Sequence, residues 1–116
     1  MKRILLADDE LLVAMLFKDI IEDFGHEVIA IAHSGKEAIK QTCELQPDFA
    51  LLDINMEYRT AGIDACKSIK EKCPDIKVYF LSAYSKDTFN SELAHVQYDG
   101  YIDKIGFEDT VEELLK

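Results

Sequence analysis

Five short apolar runs, each followed by a longer amphipathic stretch, constrain the fold of this chain more than any other feature. The runs are Arg3–Ala7, Glu27–Ala32, Phe49–Asp53, Lys77–Ser82 and Gly100–Lys104. Most are near-continuously apolar and β-branched or aromatic, the composition of strands covered on both faces. The stretches Leu11–Phe24, Lys36–Leu45, Ile63–Lys72, Thr88–His95 and Glu108–Leu115 read as helices. Successive βα units with right-handed crossovers build a parallel sheet with helices on both sides. At 116 residues the chain is long enough to bury a core without metal or disulfide staples, and residues 1–116 read as a single α/β domain.

Local signals sharpen the boundaries. The first helix carries Leu12, Leu16, Ile20 and Phe24 at four-residue steps, with Val13, Phe17 and Ile21 beside them, a broad core-facing stripe. Ser34-Gly35-Lys36-Glu37 has the spacing of a capping box, with Ser34 as cap and Glu37 reaching back. Gln46-Pro47-Asp48 and Cys73-Pro74-Asp75 each stop a helix just before a strand, because proline cannot continue the helical ladder. The last helix is short, which leaves room for continuation in a longer parent protein.

A net charge of −10 argues against direct nucleic-acid binding or an anionic membrane surface, both of which demand a basic face. The start, Met1-Lys2-Arg3-Ile4-Leu5-Leu6-Ala7, begins like a secretory leader, but Asp8, Asp9 and Glu10 break the apolar run too early. A cytoplasmic location is the resulting expectation. Cys43, Cys66 and Cys73 match no zinc or redox spacing and read as reduced, partly buried thiols. His26, His33 and His95 form no ligand spacing either.

The informative charges sit at strand ends. Asp8 and Asp9 follow the first strand, Asp53 ends the third, Ser82 the fourth and Lys104 the fifth. In an open parallel sheet, ligands bind beyond the carboxyl ends of the strands where strand order reverses. With the order 2-1-3-4-5, the first and third strands are neighbours and their carboxylates converge. Such charges repel unless a cation joins them, and a hard ion with oxygen ligands, Mg²⁺, fits. Lys104 and Ser82 then supply a fixed positive charge and a hydroxyl for the oxygens of a phosphoryl group on a carboxylate. Taken singly, each residue has an ordinary explanation: a helix cap, a turn serine, a solvated lysine. Their placement at the same end of different strands favours a common site.

These residues lie in Ile4-Leu5-Leu6-Ala7-Asp8-Asp9-Glu10, Ala50-Leu51-Leu52-Asp53-Ile54-Asn55-Met56, Phe80-Leu81-Ser82-Ala83-Tyr84 and Gly100-Tyr101-Ile102-Asp103-Lys104. In this order and spacing they resemble the receiver domains of two-component response regulators, over essentially the whole chain. The resemblance implies a flavodoxin-like (βα)5 sandwich and a signalling switch rather than an enzyme with its own substrate. It implies Asp53 as phosphoacceptor, Asp9 as direct Mg²⁺ ligand, Asp8 acting through water, and Asn55 contributing its backbone carbonyl. Ser82 is implied as the hydroxyl that turns toward the phosphoryl group, Lys104 as its ion partner, and Tyr101 as the aromatic switch. The implied donor is a phosphohistidine on a sensor histidine kinase or phosphotransfer domain. The output surface is the fourth helix, fifth strand and fifth helix, acting on a downstream effector the sequence does not name, or through phosphorylation-dependent dimerisation.

Several positions depart from the family pattern. Glu57 stands after Met56 where proline is usual, and Gly62 comes one residue late, so Glu57–Ala61 is expected to form a longer or rearranged loop. Ile105 replaces the proline after Lys104. A non-proline cis bond costs about 3 kcal/mol, so a trans peptide is expected there, with Gly106 absorbing the change. Asn55 and Tyr84 occupy positions that tune dephosphorylation in the family. Two rival readings remain at this level. One is an aspartyl-nucleophile phosphatase of the haloacid-dehalogenase type, against which stands Asn55 in place of a second aspartate. The other is an interaction module that no longer switches.

Overall fold

The computed structural model describes residues 1–115. The strands β1 (Arg3–Ala7), β2 (Glu27–Ala32), β3 (Phe49–Asp53), β4 (Lys77–Ser82) and β5 (Gly100–Asp103) form one parallel sheet in the order β2-β1-β3-β4-β5. The helices are α1 (Leu11–Asp23), α2 (Gly35–Leu45), α3 (Ala61–Lys72), α4 (Asn90–Leu93) and α5 (Phe107–Leu114), with a 3₁₀ turn, Lys86–Phe89, leading into α4. The expected flavodoxin-like architecture is therefore present.

Alternation along the strands divides the core in two. Ile4, Leu6, Phe49, Leu51 and Leu81 point to the layer of α1 and α5, where Phe17 stacks on Phe107 with ring centroids 4.0 Å apart. Leu5, Ala7, Ala50, Leu52, Val78 and Phe80 point to the opposite layer and meet Ile63, Cys66, Ile69, Phe89 and Leu93. All of β3 is buried. Helix layers cover both faces of this central strand, which explains its continuous apolar run.

Three expectations need correction. The stripe on α1 is displaced: Ala14, Phe17 and Ile21 are buried, whereas Leu12 and Leu16 are 82% and 56% exposed. The first half of this helix is apolar nearly all round, so periodicity alone does not select its inner face; the Phe17–Phe107 stack does. The fourth helix, expected at Thr88–His95, is instead the 3₁₀ turn and a single turn of α-helix, anchored by Phe89 and Leu93. The capping box is half-formed. Ser34 Oγ accepts from the Glu37 amide at 3.1 Å, but the Glu37 carboxylate accepts from Gln41 Nε2 instead of reaching back.

The chain turns past Lys104 as expected. There is no cis peptide bond among the described residues, and Gly106 takes a φ of +81° at the start of α5. Gly62 has a different task. A Cβ there would lie 2.1 Å from the carbonyl oxygen of Asp53, so α3 can approach the end of β3 only through a residue without a side chain. Gly62→Ala is expected to destabilise the fold by about 2–4 kcal/mol through forced displacement of α3 from β3; a denaturant midpoint equal to that of the parent protein would contradict this packing.

Candidate functional site

The site is built from loops that leave the carboxyl ends of four strands. β1 delivers Asp8 and Asp9, β3 delivers Asp53, β4 delivers Ser82, and the turn after β5 delivers Lys104. The Lys104 amide donates to the Ser82 carbonyl at 2.9 Å, so the residue just past β5 stays fixed beside β4. Its side chain crosses the cleft. Lys104 Nζ donates to Asp8 Oδ2 at 3.0 Å and to Asp53 Oδ2 at 3.2 Å. Asp8 is fully buried, and its other oxygen accepts the Glu10 amide at 2.9 Å. A cleft of about 210 Å³ opens above, lined by Asp9, Glu10, Asp53, Asn55, Ser82 and Lys104 together with Ala83 and Tyr84.

The electrostatics are those of crowded carboxylates. Burial pushes the Asp53 carboxyl up to about 7; Lys104 pulls it down, and Asp8 and Asp9 add repulsion. Burial alone would lower the Lys104 ammonium, but Asp53 and Asp8 outweigh it and hold its pKa above the ordinary lysine value. Four carboxylates, counting Glu10, face this one ammonium. Ligand oxygens of Asp8, Asp9 and Glu10 lie within 4.8 Å of one another, an oxygen-only donor set suited to a hard cation. Of the residues expected around a metal, Asp9, Asp53 and Asn55 line the cleft and Asp8 shares the Lys104 ammonium with Asp53, while the clustered ligand oxygens are those of Asp8, Asp9 and Glu10. Glu10 was legible only as the third member of an acidic run.

Ser82 is buried, and its Oγ accepts the Tyr84 amide at 2.9 Å. The Tyr84 carbonyl in turn accepts the Tyr101 hydroxyl at 2.8 Å. Two hydrogen bonds therefore connect the serine to the half-buried ring on β5 through one residue of the β4 loop. Burial raises the Tyr101 hydroxyl above its ordinary pKa, so it is a donor at neutral pH.

The loop after β3 was expected to depart from the common pattern, and its side chains show how it is held. The Glu57 carboxylate accepts the Gly35 amide at the start of α2, at 2.8 and 2.9 Å. The Tyr58 hydroxyl donates to Asp64 on α3 at 2.6 Å. Arg59 pairs with Glu92 on α4 at 2.8 Å and lies over the Phe89 ring, 4.8 Å from its centroid. None of these contacts was foreseen: Gly35, Glu92 and Phe89 are more than twenty positions away, and Asp64 lies on the next helix.

A family model described as the response regulator receiver domain matches residues 4–116. The chain belongs to that family. Chemotaxis protein CheY of Thermotoga maritima is 42% identical over 82 residues, 71% of this chain and 68% of that protein. Transcriptional regulatory protein YdfI of Bacillus subtilis is 34% identical over 116 residues, 99% of this chain and 52% of that protein. The response regulator domain of Thermotoga maritima CheB superposes with a TM-score of 0.82 at 30% identity, covering 97% of this chain and 90% of that one. Some relatives are much longer: the receiver chain spans about half of YdfI and 49% of the response regulator GacA of Pseudomonas viridiflava. No helix among the described residues is long and apolar enough to cross a membrane.

The raised Asp53 pKa makes the receiver cleft a source of instability. Between about pH 4 and 7 the folded state binds a proton that the unfolded state has released, so stability falls as pH rises through that window. Asp53→Asn removes the charge while keeping the shape. Without divalent cations at pH 8, it should raise stability by about 2 kcal/mol, and the gain should shrink as pH falls below about 7. A variant no more stable than the parent at pH 8, by thermal melting in chelator, would show that Lys104 already neutralises the cluster.

Proposed function

We propose that this receiver domain is a phosphorylation switch in which Asp53 accepts a phosphoryl group from a phosphohistidine, with Mg²⁺ held by Asp8, Asp9, Asp53 and the Asn55 carbonyl, and with Glu10 at the rim. The carrying observation is the Lys104 ammonium between Asp8 and Asp53, in a cleft that Ser82 also lines. Mg²⁺, when bound, supplies positive charge to the carboxylates and to the transferring phosphoryl oxygens.

An Asp53 carboxylate oxygen attacks phosphorus, the P–N bond to the donor imidazole breaks, and its electron pair returns to that nitrogen. Lys104 favours the ionised form of Asp53 against the burial that raises its pKa, and then pairs with a phosphoryl oxygen. Ser82 leaves the Tyr84 amide and donates its hydroxyl to another phosphoryl oxygen. Because Tyr84 also holds the Tyr101 hydroxyl, that exchange loosens the ring and shifts the population of the α4–β5–α5 face. Asn55 presents an amide at the cleft, not the acid a hydrolytic phosphatase would use. The domain is thus a signalling acceptor without a substrate of its own, and its setting is the cytoplasm, where a sensor kinase or phosphotransfer domain supplies the phosphoryl group.

The donor's docking surface is the exposed apolar shoulder of α1. Leu11, Leu12, Met15 and Leu16 stand on the helix that starts directly after Asp9 and Glu10 at the cleft rim. Such a patch buries well against the apolar face of a helical partner.

Acetyl phosphate with Mg²⁺ is expected to add one phosphoryl group, about 80 Da by intact mass, and Asp53→Asn or chelation should abolish the adduct. Lys104→Ala should slow labelling at least about tenfold. Full labelling of Asp53→Asn would refute the acceptor assignment. Leu12→Asp is expected to leave acetyl phosphate labelling intact while slowing transfer from a phosphohistidine protein about tenfold or more; equal loss with both donors would place the defect in the cleft, not in docking.

A further inference from the structure

Cys43 and Cys73 are 30 positions apart in sequence, yet the fold sets their sulfurs side by side. Cys43 lies in the last turn of α2 and Cys73 caps the end of α3. The two Sγ atoms are 2.8 Å apart, within an ångström of the ~2.04 Å disulfide bond. Gln46, the left-handed cap of α2, clamps this corner: its Nε2 donates to the Cys43 carbonyl at 2.8 Å and to Cys73 Sγ at 3.6 Å. Cys66 is engaged elsewhere, its buried thiol donating to the Gln97 carbonyl at 3.3 Å.

We propose that Cys43 and Cys73 form an oxidisable dithiol, a modification site that closes to an intramolecular disulfide when the protein meets a peroxide or a small-molecule disulfide. With hydrogen peroxide, Cys43, the half-buried residue of the pair beside a buried Cys73, is the one oxidised first. It takes oxygen to become a sulfenic acid, releasing water. Cys73 sulfur then attacks Cys43 sulfur, the S–O bond breaks, and the hydroxide leaves with the Cys73 proton as a second water. Two thiols and one peroxide give one disulfide and two waters. With a small-molecule disulfide, two successive exchanges release two small thiols and form the same bond.

Burial and the neighbouring Cys73 push the Cys43 thiol up to about 11, so Cys43 rests protonated at neutral pH and reacts slowly. The crosslink joins the far ends of α2 and α3, beside the chain's entries into β3 and β4. The phosphoryl cleft lies at the opposite ends of those strands. The disulfide therefore restrains the unfolded chain and the α2–α3 pair without occupying the cleft.

The test uses the whole chain exposed to hydrogen peroxide or oxidised glutathione, then analysed by thiol titration, intact mass and peptide mapping. The expected product is about 2 Da lighter, retains one thiol of three, and yields a Cys43–Cys73 linked peptide with Cys66 free. Its melting temperature should rise by about 5–10 °C and return on reduction. Cys43→Ser and Cys73→Ser should show neither the intramolecular mass loss nor the rise, and Cys66→Ser should behave as the parent. The peptide map of the unsubstituted protein decides the matter even where a serine variant folds poorly. Persistence of three thiols, or oxidation running through Cys66 or between chains, overturns the proposal.

Discussion

The Lys104 ammonium, lodged between Asp8 and Asp53, is the interaction on which the rest of this receiver depends. Carboxylates on neighbouring parallel strands cannot share a buried crevice without a counter-charge. Lysine at the end of β5 supplies it across 96 and 51 positions of sequence. β5 lies on the far side of β4, and from there the Lys104 side chain reaches both carboxylates. One ammonium leaves the cleft with excess negative charge, a setting suited to a hard divalent cation.

The loop after β3 has to support this arrangement without the proline common in the family. Rigidity comes instead from side chains reaching outward, with Glu57 tied to α2, Tyr58 to α3 and Arg59 to α4. A stiff backbone has been exchanged for a set of contacts spread over three elements. Any motion at the Asp53 end of β3 is therefore coupled to α2, α3 and α4 through these side chains.

Much of this was legible in the sequence because it is written in local chemistry. Asp53 ends an apolar strand, and Pro47 and Pro74 stop helices ahead of strands, so strand ends and their charges could be placed by reading along the chain. Features decided by partners far away could not. Leu12 and Phe17 are both large apolar residues on one helix, and only Phe107, ninety positions on, determines which of them is buried. Glu37 has the spacing to reach back to its cap, but Gln41 offers a competing amide one turn on. The fourth helix was expected at Thr88–His95, but its start belongs to a 3₁₀ turn and its α-helical turn ends at Leu93, since only Phe89 and Leu93 in that span are buried. Cys43 and Cys73 meet solely because α2 and α3 pack together.

The alternation that feeds two core layers from one sheet also governs how a chain like this can diverge. Inserting one residue within β3 would exchange the layers served by every later position of that strand and turn Asp53 away from its partners. Length changes are tolerable only in the connections, and the connections at the carboxyl ends form the rim of the cleft. Glu57–Ala61 and Ile105–Gly106, where this chain departs from the common pattern, lie in two of them. The scaffold thereby confines changes of length to the rim of the cleft, while the core stays anchored to the strands.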